Sequence, residues 1–274
     1  RSIHKTLMGM TQTALLHVSK DAVDKKRVDA ERLEYFLRVY QSSSPSYVLM
    51  ASVDECVSAL GEKIQREKIF GEYSKRIEDI HKQSRKWKDI HFFEPDRNCN
   101  VDKNKVFEYD SGKLVIYSES NVLSGKQIYN ILRDKYGLQP EMSLGRYCLA
   151  MTSCMDSEEG FNRLVNALGE IDRFAISGVC CKVMENKACG QRRMEKKYTI
   201  AQAFEMKKSV SELSEGMIAG DYGYVYPPGI PFIVPGEIVT KEIICDIINA
   251  DASGYEVHGV VFKDGVPYMK VTDA

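Results

Sequence analysis

Neither sign of charge dominates this sequence: 38 basic residues face 39 acidic ones, for a net charge of −1. That balance excludes a global basic field for nucleic acid or an anionic membrane, so partners must be recognised at local sites. No apolar run is long enough to cross a bilayer. The longest uncharged stretches, Leu7–Ser19 and Gly223–Gly236, fall short of the roughly 20 residues a spanning helix needs, and the second carries four prolines. The eight cysteines, at 56, 99, 148, 154, 180, 181, 189 and 245, show no CxxC spacing. They read as reduced thiols of a cytoplasmic protein rather than a disulfide framework. There is no internal repeat and no low-complexity tract. An initiator methionine and a signal-peptide pattern of basic, apolar and small-residue regions are both missing from the start. Arg1-Ser2-Ile3-His4-Lys5-Thr6 has instead the density of a site motif, and the expectation is a chain that begins inside a larger protein.

What is present is enough for a sizeable core. At 274 residues and 43% hydrophobic, with roughly 150 residues per domain, about two domains are expected. Leu7–Val18 is apolar without helical periodicity and suits a buried strand of a mixed or parallel sheet. From Asp29, the spacing of Leu33, Phe36, Leu37 and Tyr40 predicts a helix, stopped by Ser42-Ser43-Ser44-Pro45-Ser46. Ser52 and Glu55 have the spacing of a capping box opening a long helix. Its stripe is Phe70, Tyr73, Ile77, Ile80, Ser84 and Trp87, and its solvated face includes Arg66, Lys68, Lys75 and Lys86. The domain boundary is placed just after it, near Pro95, giving domains over 1–95 and 96–274.

The second region reads as an α/β lobe. A strand over Lys113–Tyr117 is followed by a helix boxed by Ser124 and Gln127, a strand over Arg146–Thr152, and a helix through Leu164, Leu168 and Ile171 boxed by Asp156 and Glu159. Thr199 with Gln202 boxes a further helix. Tyr222–Tyr226 and the prolines after it are expected to make a rigid extended crossing rather than a central strand. Ile238–Ile248 after Thr240 predicts a helix, and Gly254–Met269 two short strands about the turn Lys263-Asp264-Gly265.

The densest chemistry lies at Ser2-Ile3-His4-Lys5. A lysine just before an apolar segment is partly desolvated, which frees an amine nucleophile for a Schiff base. The Ser2 hydroxyl and a protonated His4 imidazole suit a phosphate, and together the three fit an aldehyde cofactor carrying one, pyridoxal phosphate. Spacing alone leaves the alternative of an ordinary exposed lysine. Other candidates carry less. Cys180-Cys181 with Cys189 lacks paired zinc-ligand spacing and reads as buried thiol. His81 and His91 are too far apart in rise to share a ligand, so no metal site is expected. Tyr222, Tyr224 and Tyr226 line a channel or pack between strands. Glu237 is either a contact for a cationic substrate or an end-of-strand carboxylate.

Ser2-Ile3-His4-Lys5-Thr6 followed by Met10-Thr11-Gln12-Thr13-Ala14-Leu15-Leu16-His17 resembles the segment around the cofactor lysine of the ornithine/lysine/arginine decarboxylases. Two further blocks agree in order, SSSPSYVLMA from Ser42 to Ala51 and YPPGIPFIVPGE from Tyr226 to Glu237. The resemblance implies an α/β chain of the aspartate-aminotransferase fold: the end of a large pyridoxal-phosphate domain with its connecting helix, and a smaller C-terminal domain. It implies decarboxylation of arginine, lysine or ornithine to the amine used in polyamine metabolism, by a dimer or higher homo-oligomer. Lys5 would hold the cofactor, Ser2 and His4 its phosphate, with His4 also available for proton transfer. Ser43 and Ser44, in a loop like the family's subunit-interface loop, would reach the phosphate of a neighbouring protomer.

This sequence departs from the family's pattern in two places. Met217 follows Gly216 where relatives commonly carry arginine. The family's ring-nitrogen aspartate, ring-stacking group and phosphate loop all precede the lysine, which leads to the expectation of an incomplete pocket and an inactive isolated chain. Two alternatives accompany the decarboxylase reading. One is another enzyme of the same fold, an aminotransferase or lyase. The other is a non-catalytic truncated or split-gene subunit that pairs with a full-length paralogue.

Overall fold

The computed structural model describes residues 2–95, 106–176, 194–226 and 229–273. Cys99, Cys180, Cys181, Cys189, Pro227 and Pro228 lie outside them. Two compact units are present, one formed by Arg1–Lys88, Phe92–Leu114 and Ala150–Glu170, the other by Asp89–His91, Val115–Leu149 and Ile171–Ala274.

The first unit opens with a single helical turn, α1 (Ile3–Thr6), and a short helix, α2 (Lys20–Asp24), capped by Ser19. Between them Leu7–Val18 is not a strand. It is mostly exposed and makes one isolated bridge, Ser2 with Ala14. Lack of periodicity in an apolar run does not make a strand without a neighbour to accept its backbone bonds, and here the segment folds back on α1 instead. Helix α3 (Ala30–Tyr40) forms where the spacing predicts it, with the Asp29 carboxylate accepting from Arg32 N. The serine–proline loop ends it.

Helix α4 (Tyr47–Gly61) starts at Ser46, whose hydroxyl accepts from Leu49 N, and α5 (Lys63–Ser84) follows after an extended Glu62. The expected single helix from Ser52 is therefore two helices, and Ser52 with Glu55 lies inside the first. Ser46 holds the cap because its own backbone is extended, at φ −73 and ψ 112, as a cap requires. Arg66 is also not simply solvated: its guanidinium donates to Leu60 O at 2.6 Å, satisfying a carbonyl at the end of α4. The stripe on α5 buries Ile77, Ile80, His81 and Ser84. Tyr73 reaches Thr152 Oγ1 at 2.7 Å and packs edge-on against Phe161.

The chain then passes through β1 (Ile90–Phe92), β2 (Lys113–Ser118), α6 (Gly125–Tyr136), β3 (Met142–Leu144), β4 (Tyr147–Met151) and α7 (Glu158–Ile176). The sheet order is β1–β2–β4–β3, and β3 and β4 form an antiparallel hairpin. The expected box at Ser124 and Gln127 is complete in both directions. That at Asp156 is not: the Asp156 carboxylate closes a turn onto Ser153 N, and Ser157 takes the capping bond from Gly160 N at 3.1 Å. Of the two adjacent cap residues, the one nearer the first helical turn reaches the orphan amides.

The C-terminal part contains α8 (Ile200–Glu205), boxed by Thr199 and Gln202, then β5 (Lys208–Glu212), β6 (Gly223–Val225), β7 (Ile230–Ile233), α9 (Lys241–Ala252), β8 (Val257–His258), β9 (Val260–Lys263) and β10 (Val266–Thr272). Two antiparallel sheets result, β5–β10–β9 and β7–β6–β8. The tyrosine stretch is thus not a crossing, because β6 is the middle strand of its sheet. The proline rule applies to β7, an edge strand, where Pro231 faces Tyr224 across the ladder. Asp264 and Gly265, at φ 49 and 79, make the tight β9–β10 turn, a left-handed pair that matches strand twist. One core unites Leu213, Ile233, Val239, Ile243, Ile247, Val260, Met269 and Val271.

Candidate functional site

One turn of helix is too short to be stable alone, so α1 depends on what holds it. Ile3 is fully buried and anchors the turn. Its backbone N donates to Thr13 O at 3.2 Å, and Leu7 N returns to Ile3 O at 3.0 Å. His4, half-buried, places Nδ1 2.8 Å from the same Thr13 oxygen. Lys5 is exposed. The buried Thr13 donates its hydroxyl to Met10 O at 2.5 Å, and Cys154 Sγ lies 3.9 Å from Thr6 O. Burial pushes the Cys154 thiol above its ordinary range, so this group supports the turn as a neutral thiol.

Ser2, as N-cap, and His4 and Lys5, within α1, therefore lie along one braced turn. The donor set, an exposed amine beside a hydroxyl and a ring whose second nitrogen is free of the Thr13 bond, fits an aldehyde that carries a phosphate. Ser43 and Ser44 belong to the separate exposed loop between α3 and α4, folded on itself by Ser44 N donating to Ser42 Oγ at 3.2 Å. Glu237 belongs to the other unit. It is buried, accepts from Val234 N at 2.9 Å and lies 3.8 Å from Lys196 Nζ. That is the geometry of a carboxylate closing a turn at the end of β7.

Sequence reasoning did not single out Thr13 or Ser52, whose hydroxyl accepts from Met10 N at 2.7 Å. Thr13 stood inside a recognised block, and Ser52 was visible only as a capping-box residue. Two buried aspartates were also unmarked. Asp172 Oδ1 accepts from Asp89 N and Ile90 N at 2.7 and 2.9 Å, and the Asp89 carboxylate accepts from Ser118 Oγ and Ser120 N at 2.7 and 2.8 Å. His81 Nδ1 sits 2.6 Å from Glu94 Oε1 and Nε2 3.1 Å from Ser111 O. Among the described residues no group of three or more histidine, cysteine or acidic side chains could hold a metal, and no helix is long and apolar enough to cross a membrane.

Comparison with solved structures identifies the fold as that of the bacterial lysine decarboxylases. The Francisella novicida lysine decarboxylase superposes with a TM-score of 0.75 at 19% identity, over 99% of this chain and 48% of its own. The Escherichia coli constitutive lysine decarboxylase gives 0.65 at 17%, over 90% and 46%. The profile of the Orn/Lys/Arg decarboxylase major domain matches residues 1–119. Arginine decarboxylase of Bacillus subtilis is 28% identical over 94% of this chain and 51% of its own length, and that of Bacillus anthracis 26% over 94% and 50%. Residues 1–119 are thus similar to the Orn/Lys/Arg decarboxylase major domain, and the chain spans about half the length of the curated relatives it matches.

Proposed function

We propose that this chain carries the cofactor-lysine portion of a pyridoxal-phosphate-dependent decarboxylase of a basic amino acid, arginine, lysine or ornithine. The observation that carries this is the braced turn, with Lys5 exposed beside a His4 ring held by Thr13 O. Arginine and lysine decarboxylases among the similar proteins support the substrate class, and the amine product would feed polyamine metabolism in the cytoplasm.

When bound, the cofactor would supply the electron sink that makes loss of carbon dioxide possible. Lys5 would hold it through its amine, with Ser2 and His4 at the phosphate. His4 Nε2 would be placed to accept or deliver a proton. Ser43 and Ser44 would contact a neighbouring protomer's phosphate. Glu237 would meet a cationic substrate by exchanging its 3.8 Å Lys196 partner. Residues 1–95 would belong to the cofactor domain and 96–274 to the C-terminal domain. Large apolar side chains left exposed on α3 and α4, among them Leu37, Tyr40, Tyr47 and Val48, support assembly into a homo-oligomer, since concentrated apolar exposure commonly marks an interaction site.

The test is a visible absorption scan for a protonated pyridoxal Schiff base, on the chain alone and expressed with the coding region before it. It is repeated with Lys5→Ala, and carbon dioxide release from arginine, lysine and ornithine is then measured. A band that disappears in Lys5→Ala together with gas from one amino acid is expected. Absence of a band in both wild-type preparations would overturn the proposal.

A further inference from the structure

Thr13 O is the point on which the lysine turn hangs, because Ile3 N donates to it and His4 Nδ1 lies against it. A carbonyl oxygen only accepts, so Nδ1 carries the hydrogen and, in the neutral ring, Nε2 keeps its lone pair. The position of that carbonyl is set by the turn from Met10 to Thr13. Thr13 N and Oγ1 both donate to Met10 O, at 3.3 and 2.5 Å, and Gln12 sits at φ 69. Gly9 packs so closely that a Cβ there would meet Ile3 Cδ1 and Thr13 Oγ1, each at 2.7 Å.

The turn is fastened outside its own segment by Met10 N donating to Ser52 Oγ at 2.7 Å. Ser52 sits mid-helix in α4, where serine is a poorer helix former than alanine, and the cap of that helix is Ser46. Its hydroxyl is thus committed to a segment 42 residues away.

We infer that Ser52 is a positioning residue: through Met10 and the 10–13 turn it holds the Thr13 carbonyl that fixes His4 as the Nδ1–H tautomer, with Nε2 as the working nitrogen. The catalytic consequence rests on the reading of His4 and Lys5 given above, whereas the tautomer does not. Loosening the turn lets the ring sample both tautomers and rotate, which misplaces Nε2 without touching the substrate.

The experiment is long-range proton–nitrogen NMR of the full chain with nitrogen-15 histidine, the His4 signals being identified by their loss in His4→Gln. The wild type is expected to show the Nδ1–H pattern. Ser52→Ala should average the two tautomers, Ser52→Thr should restore the wild-type pattern by returning the hydroxyl, and Thr13→Val should resemble Ser52→Ala. If Ser52→Ala does not fold, Ser52→Cys replaces it with a near-isosteric weak acceptor and the same expectation. In the cofactor-loaded enzyme, Ser52→Ala should lower kcat by about tenfold with little change in KM, as expected for a misaligned group, and shift the pH profile. An Nε2–H pattern in the wild type, or an unchanged Nδ1–H pattern in the Ser52 variant, overturns the inference. Absence of decarboxylation in every preparation would sink the functional reading alone, because the tautomer is read without turnover.

Discussion

Helices α3 and α9 are nearly equal in length, 11 and 12 residues, and each begins at a side-chain cap. They differ in what their apolar faces meet. In α9, Ile243, Ile247 and Ala250 are buried, and the two isoleucines join a core with residues of β7, β9 and β10. In α3 nothing is buried: Leu37 is 52% exposed and Tyr40 82%. Periodicity therefore establishes that a helix has an apolar face, but burial depends on a second surface that the helix's own sequence does not contain. Among the described residues α9 has such a surface, while the apolar side chains of α3 stay exposed.

The widest gap between the two regions should appear on truncating matched side chains. Ile247→Ala removes a fully buried group and is expected to cost about 3 kcal/mol, within the usual range for aliphatic-to-alanine changes in a core. At a dilution that leaves the chain monomeric, Leu37→Ala should stay within about 0.5 kcal/mol, as for a solvent-facing site. Urea unfolding midpoints of the two variants check this. If Leu37→Ala costs as much as Ile247→Ala, α3 is covered in solution, and the loss should then shrink on dilution of an oligomer.

A second contrast concerns polar rather than apolar burial. Asp172 satisfies two buried backbone amides, Asp89 N and Ile90 N, so Asp172→Ala should cost about 2 to 4 kcal/mol by leaving both unpaired. Asp89 adds a pH dependence. Burial alone would raise its carboxyl, but hydrogen bonds from Ser120 and Ser118, with the nearby His91 charge, override that and hold it below its ordinary 3.8. The folded state then binds fewer protons than the unfolded one across that interval. This share of stability is complete above pH 3.8 and is lost as the pH falls through the lower folded value. Asp89→Asn should flatten the acid limb of a stability-versus-pH curve.

Elements with a local cause were legible in the sequence. The boxes at Ser124 and Thr199, the helix opening at Asp29 and the Asp264-Gly265 turn each carry their own hydrogen bond or left-handed backbone, whereas the helix read as Ile238–Ile248 starts later, at Lys241. The boxes at Ser52 and Asp156 failed because a neighbouring serine, Ser46 or Ser157, takes the capping bond, and two other readings failed because they depended on distant partners. Leu7–Val18 looked like a buried strand because apolar composition does not say whether a neighbouring edge exists, and β6 looked too close to proline to be central although Pro231 sits on the edge strand beside it. Lys5, His4 and Ser2 were visible as a dense motif. Thr13 and Ser52 were not, since their roles come from a carbonyl and a hydroxyl acting across 9 and 42 residues. Contacts of that kind leave no spacing to read.

The smallest predicted effect compares thiols of different burial. Cys245 is exposed on α9, and Cys148 is buried, with burial pushing it up to about 12. At pH 8 a thiol of that pKa is ionised in only about one molecule in ten thousand. Iodoacetamide followed by peptide mapping should therefore modify Cys245 rapidly and leave Cys148 unmodified until the protein unfolds. Cys154 should fall between them, because its thiol is raised by burial but rests on Thr6 O, at the end of the single-turn α1. Its labelling rate then reports local opening of the lysine turn rather than global unfolding. Ser52→Ala should accelerate it several-fold while leaving Cys148 unchanged, because loosening the 10–13 turn does not disturb β4. Equal acceleration of both cysteines would show that Ser52 stabilises the fold as a whole and not the turn that carries Lys5.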